Sequence, residues 1–451
     1  MLLLYQINLV AEAQILGSPW SAELPPSIPQ QSDLQAQQID TLNELSAPLR
    51  AAPDLSLADE SRPLSLDEAV ARALAADDPA VRRFEARAAA LDEEAVAAAQ
   101  LPDPLVTAQM ANVPTDSFRF DRDGMTQALR VGLRQEFPAG RTLALSGQER
   151  SIQADVQRAQ DQVAERDLIL DVRNAWFQRV LSQRAISILE HTRTLIAEQI
   201  ESLQARFATG RLHAQDLYRV ELELALIDDR LSEQRRQNDV AIAGLARYIG
   251  KDAWRRAPEL QPTLTAPASA AELERALLQH PAVIAEKTQA EAADVRIRIA
   301  EQAYKPKFAL EGGYGLRTAR PDLATIGVTL SLPFFTNKRQ DRRRAAAIQA
   351  HSAELLDHDL LLREYRRLLQ EDLAQWQRLN ERLALYRGIL ETRAHQTAEA
   401  AVTTYANSQT DFAELIRARL AELNVELQRV ELEAQLGLVW ARLQWLVGEN
   451  V

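Results

Sequence analysis

Thr325-Ile326-Gly327-Val328-Thr329-Leu330-Ser331-Leu332 alternates without a fault: Ile326, Val328, Leu330 and Leu332 are apolar, while Thr325, Gly327, Thr329 and Ser331 are small or polar. Successive side chains of an extended chain point to opposite faces, so the stretch predicts a strand with one greasy face. A similar stretch precedes it, in which Phe308, Leu310, Tyr314 and Leu316 face away from Ala309, Glu311, Gly313 and Arg317. Far upstream Leu129, Val131 and Leu133 stand against Arg130, Gly132 and Arg134, and a less regular strand runs from Leu105 to about Asn112. Two hairpins are expected, at about 105–137 and about 307–333.

The hairpins occupy matching places in an internal repeat. Pro79, in Ala76-Asp77-Asp78-Pro79-Ala80-Val81, matches Pro281 in Gln279-His280-Pro281-Ala282-Val283, and Pro104 matches Pro306, both displaced by 202 residues. Val131-Gly132-Leu133 and Phe137 match Val328-Thr329-Leu330 and Phe334 at 197, and Leu217, Leu245 and Gly250 match Leu415, Leu443 and Gly448 at 198. A duplicated unit accounts for the length of 451 residues. The expected organisation is a signal-like segment at 1–22, a Pro-rich linker at 23–63, repeat one at 64–250, a connector at 251–269 and repeat two at 270–451. Residues 2–10 are apolar but have no Lys or Arg before them, which makes the signal atypical.

Between Pro138 and Pro258, and from Pro333 to the end, no proline occurs, so each repeat has room for helices far longer than average. Leu217, Val220, Leu224, Ile227 and Leu231 in the first run, and Ile416, Leu420, Leu423, Leu427, Val430 and Ala434 in the second, recur at steps of three and four. That spacing is a coiled-coil seam. Aromatics at 5% and only 15 glycines also favour long helices over compact sheet domains. A net charge of −12 with Arg and Glu mixed along helix faces leaves no basic patch, so no nucleic-acid partner is expected. The sequence contains no cysteine, which removes disulfides, thiolate metal sites and Cys nucleophiles together.

No uninterrupted apolar run reaches about 18 residues, so a membrane role would have to use strands. The greasy faces of the hairpins have no other sheet to cover them, and strands of about ten residues cross a bilayer when tilted. Four strands do not close a barrel, and open edges are not tolerated in lipid, so copies of the chain would contribute jointly, two giving eight strands or three giving twelve. Phe137, Phe334 and Phe335 fall at strand ends, where an aromatic belt would sit. The reading from another class is a soluble coiled-coil scaffold.

Over nearly all of residues 64–451 the chain resembles the TolC-type outer-membrane channels. The resemblance implies a mainly α fold with membrane β structure: two tandem repeats, a long coiled-coil α-helical barrel, and four strands per subunit of a trimeric twelve-stranded β-barrel. Leu101-Pro102-Asp103-Pro104, Asn112-Val113-Pro114 and Gln135-Glu136-Phe137-Pro138 further resemble the outer-membrane component of heavy-metal efflux systems of the resistance-nodulation-division type. The implied role is passive conduction of exported metal cations out of the periplasm, with a periplasmic adaptor protein and an inner-membrane pump as partners and outer-membrane lipid around the strands. A drug or type I secretion channel of the same fold is the alternative. The basic run Lys338, Arg339, Arg342, Arg343 and Arg344 would meet lipid headgroups, and repeat one keeps only Arg141 there.

Helical pattern breaks at Ala208-Thr209-Gly210-Arg211-Leu212 and at Ala406-Asn407-Ser408-Gln409-Thr410, each a turn between antiparallel helices, with Gly210 and Asn407 suited to a left-handed helix end. In the family such turns are the periplasmic tips, which implies adaptor contact through Gly210, Arg211, Leu212 and Ser408. Asp216 and Glu414 are equivalent in the repeat just past the turns. A trimer would gather three of each into an acidic, cation-selective iris. Tyr405 matches an aromatic residue that holds the family's gate closed, and Arg417 stands where a second acid is common. Met1, Met110 and Met125 and the six histidines form no ligand cluster beyond the spacing of His351 and His358, so no metal site and no cofactor are expected. No catalytic constellation is present either, and an enzyme is not expected.

Overall fold

The computed structural model describes residues 62–121, 124–208, 214–258, 262–318, 320–407 and 409–448. The signal-like segment and nearly all of the Pro-rich linker lie outside them. Repeat one comprises α1 (Leu66–Ala75), α2 (Pro79–Ala98), β1 (Leu105–Ala111), β2 (Gln127–Phe137), α3 (Thr142–Ala208) and α4 (Ala214–Ile249). Repeat two comprises α5 (Ala270–Leu277), α6 (Pro281–Gln302), β3 (Lys307–Leu316), β4 (Leu323–Ser331), α7 (Gln340–Leu385), a π turn (Tyr386–Leu390), α8 (Glu391–Ala406) and α9 (Phe412–Val447).

Local chemistry explains why the repeat-related helices start where they do. Pro79 and Pro281 are each the first residue of their helix, where the missing N–H costs nothing. The residue before each is the cap: the Asp78 side chain accepts from the Ala80 N–H at 2.8 Å, and His280 Nδ1 accepts from the Ala282 N–H at 3.1 Å. Long helices then run without a proline to stop them. α3 has 67 residues, and α4 and α9 have 36 each. α9 packs on both α3 and α7, which ties the two repeats together.

The seams read from the sequence are inside. Val220, Ile227 and Leu231 of α4 and Ile416, Leu423 and Val430 of α9 are buried; Leu217, Leu224, Leu420 and Leu427 are partly buried. All of these except Val430 share a cluster with Leu189, Ile196, Ile200 and Leu203 of α3. Burial of each such side chain contributes about 1.5–3 kcal/mol. A second core joins Trp176 and Phe177 of α3 to Leu64, Leu245 and Ile249, and Trp176 Nε1 donates to the Leu64 carbonyl at 2.9 Å. Beside it Arg255 holds Glu68 at 2.7 Å, while Arg72 pairs with Glu68 and with the buried Asp252.

A third core surrounds His280, which is fully buried and packs edge-on against Tyr365 and tilted against Trp445, at centroid distances of 4.8 and 4.9 Å. Burial, aided by the Arg166 cation, pushes its pKa down to about 4. The folded chain therefore binds fewer protons than the unfolded chain between pH 6.5 and 4. Stability should be fully present above about pH 6.5 and fall by about 2–3 kcal/mol as the pH drops to about 4. His280→Asn keeps a capping acceptor and removes the titration. Thermal melts of the variant should lose this part of the acid sensitivity, and an acid shift identical to wild type would refute it.

The four strands form one antiparallel sheet in the order β1-β2-β3-β4. Its registers pair Val106 with Leu133, Val131 with Tyr314, Phe137 with Phe308, and Leu310 with Val328. Two of the expected details differ. β1 runs where expected but has seven residues where about ten were expected; it ends at Ala111, and Asn112 turns left-handed (φ 55°). Asn407 is not left-handed: its φ is −85°, and its N–H bonds back to the Thr403 carbonyl at 3.2 Å to extend the helix end.

Candidate functional site

Strand register decides what each face of the sheet presents. One face collects Val106 and Met110, Leu129, Val131 and Leu133, Phe308, Leu310, Tyr314 and Leu316, and Ile326, Val328 and Leu330. All of these are exposed, Ile326 to 91%. A contiguous exposed apolar face across four strands is far outside what scattered surface residues produce. On the other face Arg134 pairs with Glu136 at 3.2 Å and with Glu311 of the next strand at 3.0 Å, flanked by Thr107, Gln109 and Thr329. One surface is suited to lipid and the other to water.

The short strings quoted above meet at the base of this sheet. Leu101-Pro102-Asp103-Pro104 leads α2 into β1, and Gln135-Glu136-Phe137-Pro138 leads β2 out into α3. Gln135 Nε2 donates to the Pro102 carbonyl at 2.8 Å, so the two are stapled together. Phe137 stacks on Phe308 of β3, with centroids 4.8 Å apart and planes at 15°. Past Pro138, Gly140 adopts a φ of 54°, and the Arg141 N–H donates to Gln302 Oε1 at 3.1 Å. These residues lock helices to strands, which is a structural task. Phe334 and Phe335 beyond β4 are 76% and 81% exposed, and the run from Lys338 to Arg344 follows them.

At the opposite end of the long helices lie the gate candidates. Gly210, Arg211, Leu212 and Ser408 fall outside the described residues. Tyr405 packs edge-on against Phe412 at 5.5 Å, and both belong to the cluster that holds Leu415, Ile416 and Leu217. Asp216 and Glu414, in the first turns of α4 and α9, each adjoin a member of that cluster. The Asp411 side chain caps α9 by accepting from the Glu414 N–H at 2.9 Å. Glu414 is about half exposed and pairs with Arg417 one turn on. The chain itself thus partly neutralises the acid that equivalence in the repeat singled out, while Asp216 sits half-buried.

Sequence reading missed one charged centre. Glu433 on α9 is 3% exposed, and it accepts from Arg184 of α3 at 2.5 Å, Arg387 of the π turn at 2.8 Å and Arg429 at 2.9 Å. Burial alone would raise its pKa, but the three guanidiniums outweigh that and hold it below the ordinary glutamate value. An acid between Leu432 and Ala434 in a buried run was the available signal. Among the described residues no group of His, Asp and Glu is placed to hold a metal ion, and no helix is long and apolar enough to cross a membrane.

No protein-family model matches the chain. The outer membrane protein TolC of Vibrio cholerae serotype O1 is 24% identical over 208 residues, a match spanning 42% of this chain and 46% of that protein. The structure of the outer membrane protein VceC of Vibrio cholerae superposes with a TM-score of 0.70 at 16% identity, over 85% of this chain and 96% of VceC. That of CusC, described in relation to transmembrane channel formation, gives 0.73 at 14% identity, over 86% and 93% of the two chains. The chain therefore has the fold of these outer-membrane proteins, with four antiparallel strands set between long paired helices.

Proposed function

We propose that the chain is one subunit of a homotrimeric outer-membrane channel of the TolC type, extending into the periplasm. It passively conducts exported substrate handed on by a periplasmic adaptor and an inner-membrane pump of the resistance-nodulation-division type. The observation that carries this reading is the four-stranded sheet with one predominantly apolar, exposed face. Its edges, β1 and β4, have free ladder groups that lipid does not satisfy, so they pair with neighbouring copies. Three copies give the twelve strands of a closed barrel. Exposed apolar residues on the helices support the same assembly: Tyr218, Leu222 and Leu226 recur every fourth residue along α4, and Leu356 and Leu360 stand out on α7. In the trimer these stripes are covered by neighbouring subunits.

The cargo is a heavy-metal cation. Support for that finer statement is the set of strings around Leu101–Pro104 and Gln135–Pro138, and the adaptor contacts are Gly210, Arg211, Leu212 and Ser408. No enzymatic step is involved and no cofactor is required. Growth of a deletion strain across copper, silver, zinc, cobalt and cadmium, beside a panel of organic drugs, tests the cargo. Selective metal sensitivity restored by the wild-type gene is the expected result. Sensitivity to drugs alone would keep the channel and discard the metal.

Asp216, Tyr405, Glu414 and Arg417 form the gate. With three subunits the ring carries six carboxylates and three guanidiniums, a net acidic constriction that favours cations. Glu414→Ala should lower cation preference or raise conductance in a planar bilayer. Arg417→Ala unmasks Glu414 and should shift cation preference the opposite way, by about twofold or more. If neither variant changes selectivity or conductance, these residues do not form the constriction.

A further inference from the structure

One member of the basic run after β4 lines a cavity on the polar side of the sheet. The cavity, of about 430 Å³, lies where the strands join the helices. Arg134, Glu136, Lys307, Ala309, Thr329 and Ser331 line it. Register puts all six on the polar face, since Lys307 pairs with Ser331, Ala309 with Thr329 and Glu136 with Ala309. The stacked rings of Phe137 and Phe308 form its wall towards the apolar face. Arg343 of α7, Ile299 and Ala300 at the end of α6, and Thr142 at the start of α3 complete it. When the apolar face meets lipid, the polar face lines the lumen, so this cavity opens into the pore.

Three cations meet there, and two of them lack a counter-charge. Arg134 is engaged by Glu136 and Glu311. Lys307 and Arg343 are exposed and form no ion pair among the described residues. The carboxylates of the neighbouring helices are committed elsewhere: Glu301 pairs with Arg344 at 3.0 Å, and Asp341 accepts from the Tyr304 hydroxyl at 2.6 Å. Further along α7 an exposed guanidinium is compensated in the ordinary way, Arg367 pairing with Glu364 and Glu371, both at 2.7 Å. The first turn of α3 holds no acid, so its positive helix end adds to the cations. At the repeat displacements of 202 and 197, the counterparts of Lys307 and Arg343 are Leu105 and Ser146. The charge belongs to the second repeat alone and is not a demand of the duplicated fold.

Resting on the channel reading, we propose that Lys307 and Arg343, with Arg134 behind them, form an anion-binding collar inside the pore where the barrel meets the helical tunnel, and that its ligands are small multivalent oxyanions of the phosphate class. Two uncompensated cations from each of three subunits face one lumen, and its low-dielectric wall focuses their field. Ammonium and guanidinium groups donate charge-assisted hydrogen bonds to phosphate oxygens. The collar and the constriction near Glu414 then carry opposite charge at two levels of one pore. Anions are retained at the collar, and outgoing cations meet their counter-ions there.

The test is the conductance of the full-length protein in planar bilayers of phosphatidylcholine, which brings no anionic headgroup, with inorganic pyrophosphate as the probe. Millimolar pyrophosphate should lower the wild-type conductance at least twofold, while chloride raised to the same ionic strength should not. In the Lys307→Gln/Arg343→Gln double variant the block should disappear. In Arg367→Gln, which removes a paired cation away from the cavity, it should persist. Oligomer mass and circular dichroism verify assembly, and should the double variant fail to assemble, Arg343→Gln alone decides, with at least threefold more pyrophosphate needed for the same block. An equal block in wild type and collar variants, or none in a wild-type pore that conducts, overturns the collar and leaves the channel standing. Adding phosphatidylglycerol separates the two sources of phosphate: an unchanged block is expected, and a block that vanishes assigns the cations to lipid headgroups and overturns the collar. A wild-type protein that never conducts removes the channel reading and the collar with it.

Discussion

Val328→Arg is expected to abolish the assembled channel, while Thr329→Arg, one residue on, is expected to leave it intact. Val328 is 66% exposed at the middle of β4, on the face with Leu310 and Ile326. An arginine at the bilayer midplane of a barrel costs about 2–4 kcal/mol, and a threefold assembly incurs it three times. The yield of membrane-extracted oligomer should fall at least tenfold. Thr329 projects to the other face, where its hydroxyl lies 3.5 Å from Glu311, so an arginine there gains a carboxylate partner in a watery setting. Comparable yields for the two variants would mean that the apolar face does not meet lipid.

The second large effect is expected where α9 crosses α3. A Cβ added at Gly437 would overlap the ring of Phe177, which is fully buried. Gly437→Ala should therefore destabilise the fold by about 2 kcal/mol through overpacking, although alanine is the better helix former by about 1 kcal/mol. Phe177→Ala alone should cost about 3–5 kcal/mol. In the Phe177→Ala background the clash is gone, so Gly437→Ala should change sign and become stabilising. Denaturant melts of the four proteins measure this cycle. Stabilisation by Gly437→Ala in the wild-type background would show that the helices do not depend on the close approach.

Features repeated along the chain were legible in the sequence. Alternation in Thr325–Ser331 placed the strands, and the spacing of Leu217 to Leu231 and Ile416 to Ala434 placed the helix seams, because each pattern is enforced by burial on one face. The four-strand sheet and the long helices follow from these two periods. What stayed hidden depends on contacts between distant segments. Glu433 reads as a solvated helix acid until Arg184, 249 residues away, is brought against it. Gly437 looks like a defect in α9 until the Phe177 ring arrives. The bond from Gln135 to the Pro102 carbonyl turns two short strings into one staple, and no spacing rule foretells it. Among the proposed gate residues the reverse occurred: equivalence of Asp216 and Glu414 was visible, but pairing of Glu414 with Arg417 weakens the acidity that equivalence alone implies.

The central claim is that three copies close one barrel in the outer membrane. Membrane fractionation followed by mass measurement of the detergent-extracted protein tests it most directly. The account predicts recovery only with detergent, as a particle of about three times the 50.4 kDa chain mass once bound detergent is subtracted. Recovery in the aqueous fraction, as a monomer or a dimer of this chain, would contradict it.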